Sequence, residues 1–360
     1  MALVDVLIPA YNAAATLREA VDSIRSQTFS DIRIIVIDDG STDETPSILA
    51  AMALEEPRLH VVRKTNGGIV EARNEALRQG SAEFFACLDA DDTSFPERLQ
   101  RQVDYMRGHP DCVAVGGAVE HVDEEGAPLS GLQQPGSPSE ADPAKVPALE
   151  PYIIHSTLMA RRAAVDAVGG YRHVPNSEDS DLFWRLSEQG RLANVAEKFG
   201  KYRVHTASAS SNVVSGRVMA IGSQLGALSA LRRRGGRKDI AFEYEMLSGL
   251  KAAETLEAML RLASRLLEET ETERLRIAAG AKLMEMARYR PYEIEASDCA
   301  FIRAALPAAK LLSGQNQKEV TWYITVTAGR LMRKGLWREA MMLTPPKDYA
   351  VAAARALTAR

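Results

Sequence analysis

The sequence predicts an α/β domain with a Rossmann-like, mainly parallel sheet, followed by an α-helical C-terminal domain. Three observations predict it. Short apolar runs alternate with helix-period segments over residues 1–215, the pattern of βαβ units. From Gly216 to Arg360 the texture changes to amphipathic helices alone. The length of 360 residues exceeds the ~100–200 typical of one domain.

The elements follow in order. Strands are expected at Val4–Pro9, Arg33–Ile37, Leu59–Val62 and Phe84–Leu88, with helices at Ala13–Ser26, Asp43–Met52 and Ile69–Gln79 between them. Ser41, Thr42 and Asp43 are capping candidates for the second helix. Right-handed crossovers place the loops beginning at Pro9, Asp38 and Asp89 along one sheet edge, where open α/β sheets bind ligands. A helix over Pro96–Arg107 and strands near Cys112–Val119 come next. The segment Gly126–Pro151 holds six of the 16 prolines, which predicts a long irregular loop, either a lid or disordered. Order resumes at Tyr152–Met159, with a helix to Val168, a Gly169-Gly170 stop and a helix near Asp179–Glu188. Ile240–Glu268 and Glu271–Arg288 are read as helical, and no internal repeat is present.

Composition narrows the class. With 46% hydrophobic and 26% charged residues the chain is neither fibrous nor disordered in character. The start at Met1 runs into an apolar strand without a basic leader, and no stretch reaches the ~20 apolar residues of a membrane span. Cys87, Cys112 and Cys299 form no close pair, so neither a disulfide framework nor a thiolate zinc site is expected. A cytoplasmic location, extending to the inner face of the membrane, is the expectation. The net charge of −4 conceals +8 over residues 216–360 and −12 before them. An acidic candidate site and a pI near 6.0 argue against nucleic acid as partner.

Four segments carry candidate chemistry. Cys87-Leu88-Asp89-Ala90-Asp91-Asp92 places three carboxylates in four residues at a strand end, a crowding that a divalent cation relieves. Asp89 and Asp91 alternate and can share one ligand. Val36-Ile37-Asp38-Asp39-Gly40 ends another strand in acids able to accept from a ribose hydroxyl or a base N–H, or to cap the next helix. Leu7-Ile8-Pro9-Ala10-Tyr11-Asn12 offers an aromatic after the first strand, for a nucleobase or for packing in the loop. Asn66-Gly67-Gly68 opens a helix displaying Arg73 and Asn74, a start suited to anions.

Together with Ser26-Gln27-Thr28-Phe29, Ser41-Thr42-Asp43 and Pro96, the order and spacing of these motifs make residues 1–212 resemble family 2 glycosyltransferases of the GT-A fold. That resemblance implies a nucleoside-diphosphate-sugar donor, most often uridine-linked. Pro9, Tyr11 and Asp39 would meet the base; Asn12, Asp38 and Asp89 would lie near base or ribose. Arg73 would approach the base or diphosphate, with Ala10, Asn66, Gly67 and Ala90 completing the nucleotide-sugar site. Asp91 would bind Mn²⁺ or Mg²⁺. The family's Glu-Asp motif maps to Glu178-Asp179, with Asp179 as catalytic base, Asp181 as the near alternative and an acidic helix start as the plain structural reading. His155 and Glu178 are expected on the acceptor side. Tyr202-Arg203-Val204-His205-Thr206 with Ser208 resembles the segment closing the donor site, where His205 can join the metal or pyrophosphate.

The expected reaction is a single inverting displacement, with a metal ion and Arg73 neutralising the leaving diphosphate while Asp179 takes the acceptor proton. A glycan or lipid-linked acceptor in bacterial-type synthesis is the expected partner, and a homo-oligomer is compatible with the sequence. The alternatives are a nucleotidyltransferase on a related fold, which usually carries a Gly-rich loop with Arg or Lys after the first strand, and a non-catalytic sugar-nucleotide-binding scaffold. Arg232, Arg233, Arg234, Arg237 and Lys238 form a basic cluster that would suit an anionic membrane or an acidic partner, or stand as a solvated loop. The helical domain is expected to serve acceptor, partner or oligomer contacts.

Overall fold

The computed structural model describes residues 2–205, 212–242 and 244–358. Thr206 and Ser208 of the closing segment lie outside the described residues. The chain forms two compact units, one of Met1–Ala141, Pro151–Arg172 and Glu178–Thr206, the other of Asp142–Glu150, His173–Ser177 and Ala207–Arg360.

The first unit runs β1 (Val4–Ala10), α1 (Leu17–Arg25), β2 (Ile32–Asp38), α2 (Thr45–Glu55), β3 (Leu59–Arg63), α3 (Ile69–Gln79), β4 (Phe84–Cys87), β5 (Thr93–Ser94) and α4 (Arg98–Gly108). It continues with β6 (Cys112–Val122), β7 (Pro128–Gln133), β8 (Met159–Arg161), α5 (Arg162–Ala167), α6 (Glu178–Leu186) and β9 (Arg191–Arg203). The sheet order is β3-β2-β1-β4-β8-β6-β9-β5, with β7 on β6. It is parallel over β3-β2-β1-β4 and mixed beyond, because β8 returns antiparallel to both β4 and β6. The mainly parallel sheet expected is found in β3-β2-β1-β4 and again where β6 pairs with β9, with β8, β7 and β5 running antiparallel to their neighbours.

Every residue of β1 is buried, as in a strand covered on both faces. Val4, Val6 and Ile8 pack into one core with Leu17, Val21 and Leu99, while Leu7 enters the opposite core with Val70 and Leu182. This is the period of two that sends alternate side chains to opposite faces. Asp5 interrupts it; its buried carboxylate accepts from Arg33 Nε at 2.9 Å and from the amides of Ser81 and Ala82.

The register pairs Ala10 with Asp38, so the first two strand ends lie side by side. Their loops are then laced together. Asn12 N–H donates to Ser41 Oγ, Ala13 N–H to Thr45 Oγ1, Ala14 N–H to Asp43 Oδ2, and Thr42 N–H to Asn12 Oδ1. Ser41 and Thr42, expected as helix caps, serve this lacing instead, whereas Asp43 also accepts from Thr45 N–H at the start of α2.

Two segments depart from the expected elements. Gly126–Pro151 is not an irregular loop throughout: β7 extends the sheet antiparallel to β6, and Asp142–Glu150 belongs to the second unit. There Val146 enters the helical core, Lys282 pairs with Glu150 at 2.7 Å, and Arg274 donates to Ala144 O at 2.7 Å. β9, thirteen residues long and mainly parallel to β6, was not among the expected strands.

The second unit consists of α7 (Val213–Arg234), α8 (Tyr244–Ala252), α9 (Leu256–Ala263), α10 (Glu269–Met286), α11 (Ala296–Ala305), α12 (Gly314–Arg333), α13 (Trp337–Leu343) and α14 (Tyr349–Thr358), besides the two short segments. The basic cluster at the C-terminal end of α7 is largely answered inside this unit: Arg232 donates to Glu271, Arg233 to Asp239 and Arg237 to Glu268. No helix among the described residues is long and apolar enough to cross a membrane.

Candidate active site

The carboxyl ends of β1, β2 and β4 surround two cavities of the first unit that share Pro9, Tyr11 and Ile69. One, of about 340 Å³, is mainly apolar, with Ala10, Asp39 and Asn66 in its wall. The other, of about 520 Å³, is polar and is lined by Asn12, Arg73, Asp89, Ala90, Asp91, Tyr202 and His205 among others. Tyr11, 53% exposed, borders both. Asn12 holds the left-handed conformation at φ 49°, which Asn tolerates better than most residues, and its side chain accepts from Thr42.

Asp38 and Asp39 behave differently. Asp38 is 1% exposed and lines neither cavity; Oδ1 accepts from Ser41 N–H and Oδ2 lies 3.2 Å from Arg63 Nε. Its carboxylate is thus held by the Ser41 amide and Arg63 behind the cavity walls. Asp39 borders the apolar cavity, but its oxygens already accept from Lys64 Nζ at 2.7 Å, Gly67 N–H at 3.0 Å and Gly68 N–H at 2.7 Å. The glycine pair opening α3 was expected to offer its amides to a bound anion; those of Gly67 and Gly68 are donated to Asp39, and Gly67 lines neither cavity. Gly40 makes this approach possible, since a Cβ there would sit 2.7 Å from Asn66 N and φ is +79°.

Arg73, one turn into α3, is buried yet lines the polar cavity. Nη1 donates to Glu178 Oε1 at 2.7 Å and Nη2 to Asp89 Oδ1 at 3.3 Å, while Nε has no partner. The guanidinium lies over the Tyr171 ring, 5.5 Å from its centre. Burial raises the Asp89 carboxyl above its ordinary range, Arg73 opposes the rise, and the charge on Asp91 adds to it.

After β4 the acids diverge. Asp91 turns to the polar cavity, where Oδ2 lies 2.8 Å from His205 Nε2. Asp92 turns inward, 2% exposed, and Oδ1 accepts from the amide of Arg203. Burial, with Asp89 and Asp91 nearby, pushes its carboxyl well up. Among the described residues no three His, Cys, Asp or Glu side chains converge as a metal cluster.

Arg203, at the end of β9, was quoted in a motif without a role. Its side chain donates to Asp91 O at 2.9 Å, Glu124 O at 2.8 Å and Glu19 Oε2 at 2.6 Å, fixing the turn that carries Asp91. Arg98, also unforeseen, is buried and donates to Cys87 O at 2.7 Å and Ser94 Oγ at 2.8 Å on the same turn's approach.

His155 is 8% exposed and lines neither cavity. Nε2 lies 2.8 Å from Tyr171 Oη, and Nδ1, without a hydrogen-bond partner, lies 3.9 Å from Asp89 Oδ1. Burial and the cations Arg73 and Arg98 push the ring's pKa well down, so it is neutral.

At the start of α6, Glu178 and Asp179 are half-buried, whereas Asp181 is fully buried. Asp181 accepts from Arg172 Nε at 2.9 Å and from Arg185 Nε at 2.9 Å, a clamp that takes up both oxygens. Asp179 Oδ1 accepts from Ser180 N–H at 2.7 Å.

The family model described as Glycosyl transferase family 2 matches residues 5–169. EpsE of Bacillus subtilis (strain 168), assigned to the glycosyltransferases, is 32% identical over 210 residues, 56% of this chain and 72% of that one. A glycosyltransferase of Haemophilus influenzae is 33% identical over 227 residues, 58% of this chain and 68% of its own. Chondroitin synthase of Escherichia coli is 29% identical over 54% of this chain, a match spanning 28% of that protein. Two solved structures share the fold at 18% identity. The mannosyltransferase PcManGT from Pyrobaculum calidifontis, in complex with GDP-Man and Mn²⁺, has a TM-score of 0.52 and covers 99% of this chain and 87% of its own. S. aureus TarS in complex with UDP has a TM-score of 0.50 and covers 93% and 92%. A GT-A fold with acids at its strand ends, matched by these relatives, places the conclusion beyond resemblance: the chain belongs to the glycosyltransferases of family 2.

Proposed function

We propose that the chain transfers a sugar from a uridine-diphosphate donor to a hydroxyl of a glycan or glycolipid, with inversion at the anomeric carbon. The observation that carries the reading is the pair of joined cavities, one apolar with Asp39 and Asn66, the other polar with Arg73, Asp91 and His205. A flat base with a few polar edges suits the first, and a charged diphosphate suits the second. TarS with UDP supports uridine, while PcManGT with GDP-Man makes guanosine the base to test against it.

The residues fit a divalent ion. Asp91 and His205 meet at 2.8 Å in the polar cavity and supply two donors, leaving the rest of the shell to phosphate oxygens and water, as Mg²⁺ and Mn²⁺ prefer. The imidazole nitrogen favours a transition ion such as Mn²⁺. When bound, the ion supplies positive charge at the departing diphosphate.

The chain's own residues do the remainder. Pro9 and Tyr11 hold the base, Asn66 reads its polar edge, and Asp39, engaged by Lys64, Gly67 and Gly68, fixes the cavity wall beside it. Arg73, with Nε unpartnered, adds charge at the diphosphate. Asp179 accepts the proton as the acceptor oxygen bonds to the anomeric carbon; the bond from that carbon to the diphosphate breaks, and its electron pair leaves with the phosphate. Asp179 is preferred because it follows Glu178, which Arg73 ties to the cavity wall at 2.7 Å, and because Asp181 is held by two arginines.

A thermal-shift panel of UDP, GDP and ADP, each with Mn²⁺ or with chelator, tests the donor and metal, since a ligand of the folded state stabilises by mass action. A rise with UDP that chelator removes is the expected result; equal shifts with chelator present overturn the metal, and a larger shift with GDP overturns the base. Release of UDP with sugar transfer, rather than release of pyrophosphate, separates this reaction from nucleotidyl transfer.

A further inference from the structure

In the helical unit, α12 and α14 pack closely at Gly329, where an added Cβ would lie 3.1 Å from Ala352 O. N-terminal of that contact along α12 the two helices border an open groove of about 590 Å³. Gln317, Lys318, Thr321 and Trp322 line it from one helix face at the i, i+1, i+4, i+5 spacing, Arg355 comes from α14, and Asp348 is the one acid in its wall. Trp322 is 38% exposed, a large apolar surface that no core covers. Two guanidinium groups accompany its ring, Arg288 at 4.8 Å and Arg355 at 5.8 Å from the centre. Unlike the cations at the C-terminal end of α7, Lys318, Arg288 and Arg355 form no ion pair among the described residues.

We infer that this groove binds an anionic glycan, through carboxylate or phosphate groups on its sugars. The exposed part of the indole offers a surface for the C–H face of a sugar ring, and the guanidinium and ammonium groups beside it, in no ion pair, select a negative substituent. Gln317 and Thr321 add polar edges: Gln317 Nε2 is taken by Leu312 O and Thr321 Oγ1 donates to Gln317 O, which leaves both side-chain oxygens able to accept from sugar hydroxyls. The volume accommodates one or two sugar rings. A lipid surface is the less favoured occupant, because a concave groove with an acid and two polar oxygens matches a hydroxylated ligand better than a flat array of headgroups. The groove extends the transfer reaction proposed above, in that it would retain a charged acceptor chain.

The test uses the full chain without donor. Calorimetric titration is made with a tetrasaccharide of alternating glucuronate and N-acetylhexosamine, its carboxyl-reduced form, and a glycerol-phosphate oligomer, and sedimentation is made with phosphatidylglycerol vesicles. Binding of the uronate or the phosphate oligomer, weakened about tenfold or more by Arg355→Gln and by Trp322→Ala, is the expected result. Which of the two oligomers binds identifies the anionic group. Binding equal to that of the carboxyl-reduced form, binding unchanged in Arg355→Gln, or no binding of either oligomer overturns the inference, as does vesicle binding that Arg355→Gln alone removes. UDP binding to the same variants is measured in parallel: it remains if only the groove is misread, and it is absent from wild type if the donor reading itself fails.

Discussion

Arg73 Nη1 donates to Glu178 Oε1 at 2.7 Å across 105 residues of sequence, and through Nη2 the same side chain reaches Asp89. One buried guanidinium thus joins the strand-end acids to the start of α6. Replacement by Lys keeps a charge but cannot bridge two carboxylates with a planar fork. Arg73→Lys is expected to cut transfer by about 10²-fold or more and to weaken UDP binding in the same assay. Full activity in Arg73→Lys would show that the bridge is structural only.

Asp179→Asn keeps the size of the side chain and removes the proton acceptor. Transfer should fall by roughly 10²–10⁴-fold while UDP binding persists. Asp181→Asn behaves otherwise: it leaves Arg172 and Arg185 facing a neutral group, and removing one partner of a buried pair typically costs about 3–5 kcal/mol. Its expected signature is a lowered Tm rather than a lowered kcat in the protein that remains folded. A stable, inactive Asp181→Asn would move the base to that position.

Asp91→Asn and His205→Ala should each abolish the Mn²⁺-dependent part of the UDP thermal shift. Arg203→Lys is the informative companion, because it loses bonds to Asp91 O, Glu124 O and Glu19 without touching the cavity-facing carboxylate. We expect a raised Mn²⁺ requirement in Arg203→Lys, restored at high Mn²⁺. An unchanged Mn²⁺ titration would mean the turn holds itself.

In the helical unit, the Arg232 guanidinium holds Glu271 down at about 2 from an ordinary 4.5. A depressed folded-state value gives stability that is fully present above pH 4.5 and lost as pH falls toward 2. With both side chains mostly buried, that contribution is on the order of 3 kcal/mol. Glu271→Gln should therefore lower stability to urea at pH 7, and its difference from wild type should shrink as the pH is taken from about 5 to about 2. A difference constant across that range would assign the loss to packing.

How far the sequence could be read depended on the range of the interactions. α3 appears at its expected limits, Ile69–Gln79, and β1 to β4 within a residue, because period and turn residues are local signals. β7 was hidden because five of its six residues are exposed, so no apolar alternation marks it. The placement of Val146 depends on α10 and its neighbours more than a hundred residues later, beyond any local pattern. In the site, Asp89, Asp91 and His205 share the cavity as their motifs suggest, whereas the hold of Gly67 and Gly68 on Asp39, and of two arginines on Asp181, arise only on folding.

The excursions of the chain at 142–150 and 173–177 have a consequence for dissection and for descent. A chain ended at residue 215 would strand Val146, Ala148 and Glu150 without the helices that bury or pair them. Conversely, the helical unit expressed from residue 207 would lack its own nine-residue strap, with Lys282 deprived of Glu150 and Arg274 of its carbonyl partner. Neither portion is a transferable module in the genetic sense, so the acceptance of a new C-terminal half by recombination would require matching changes inside the catalytic gene segment as well.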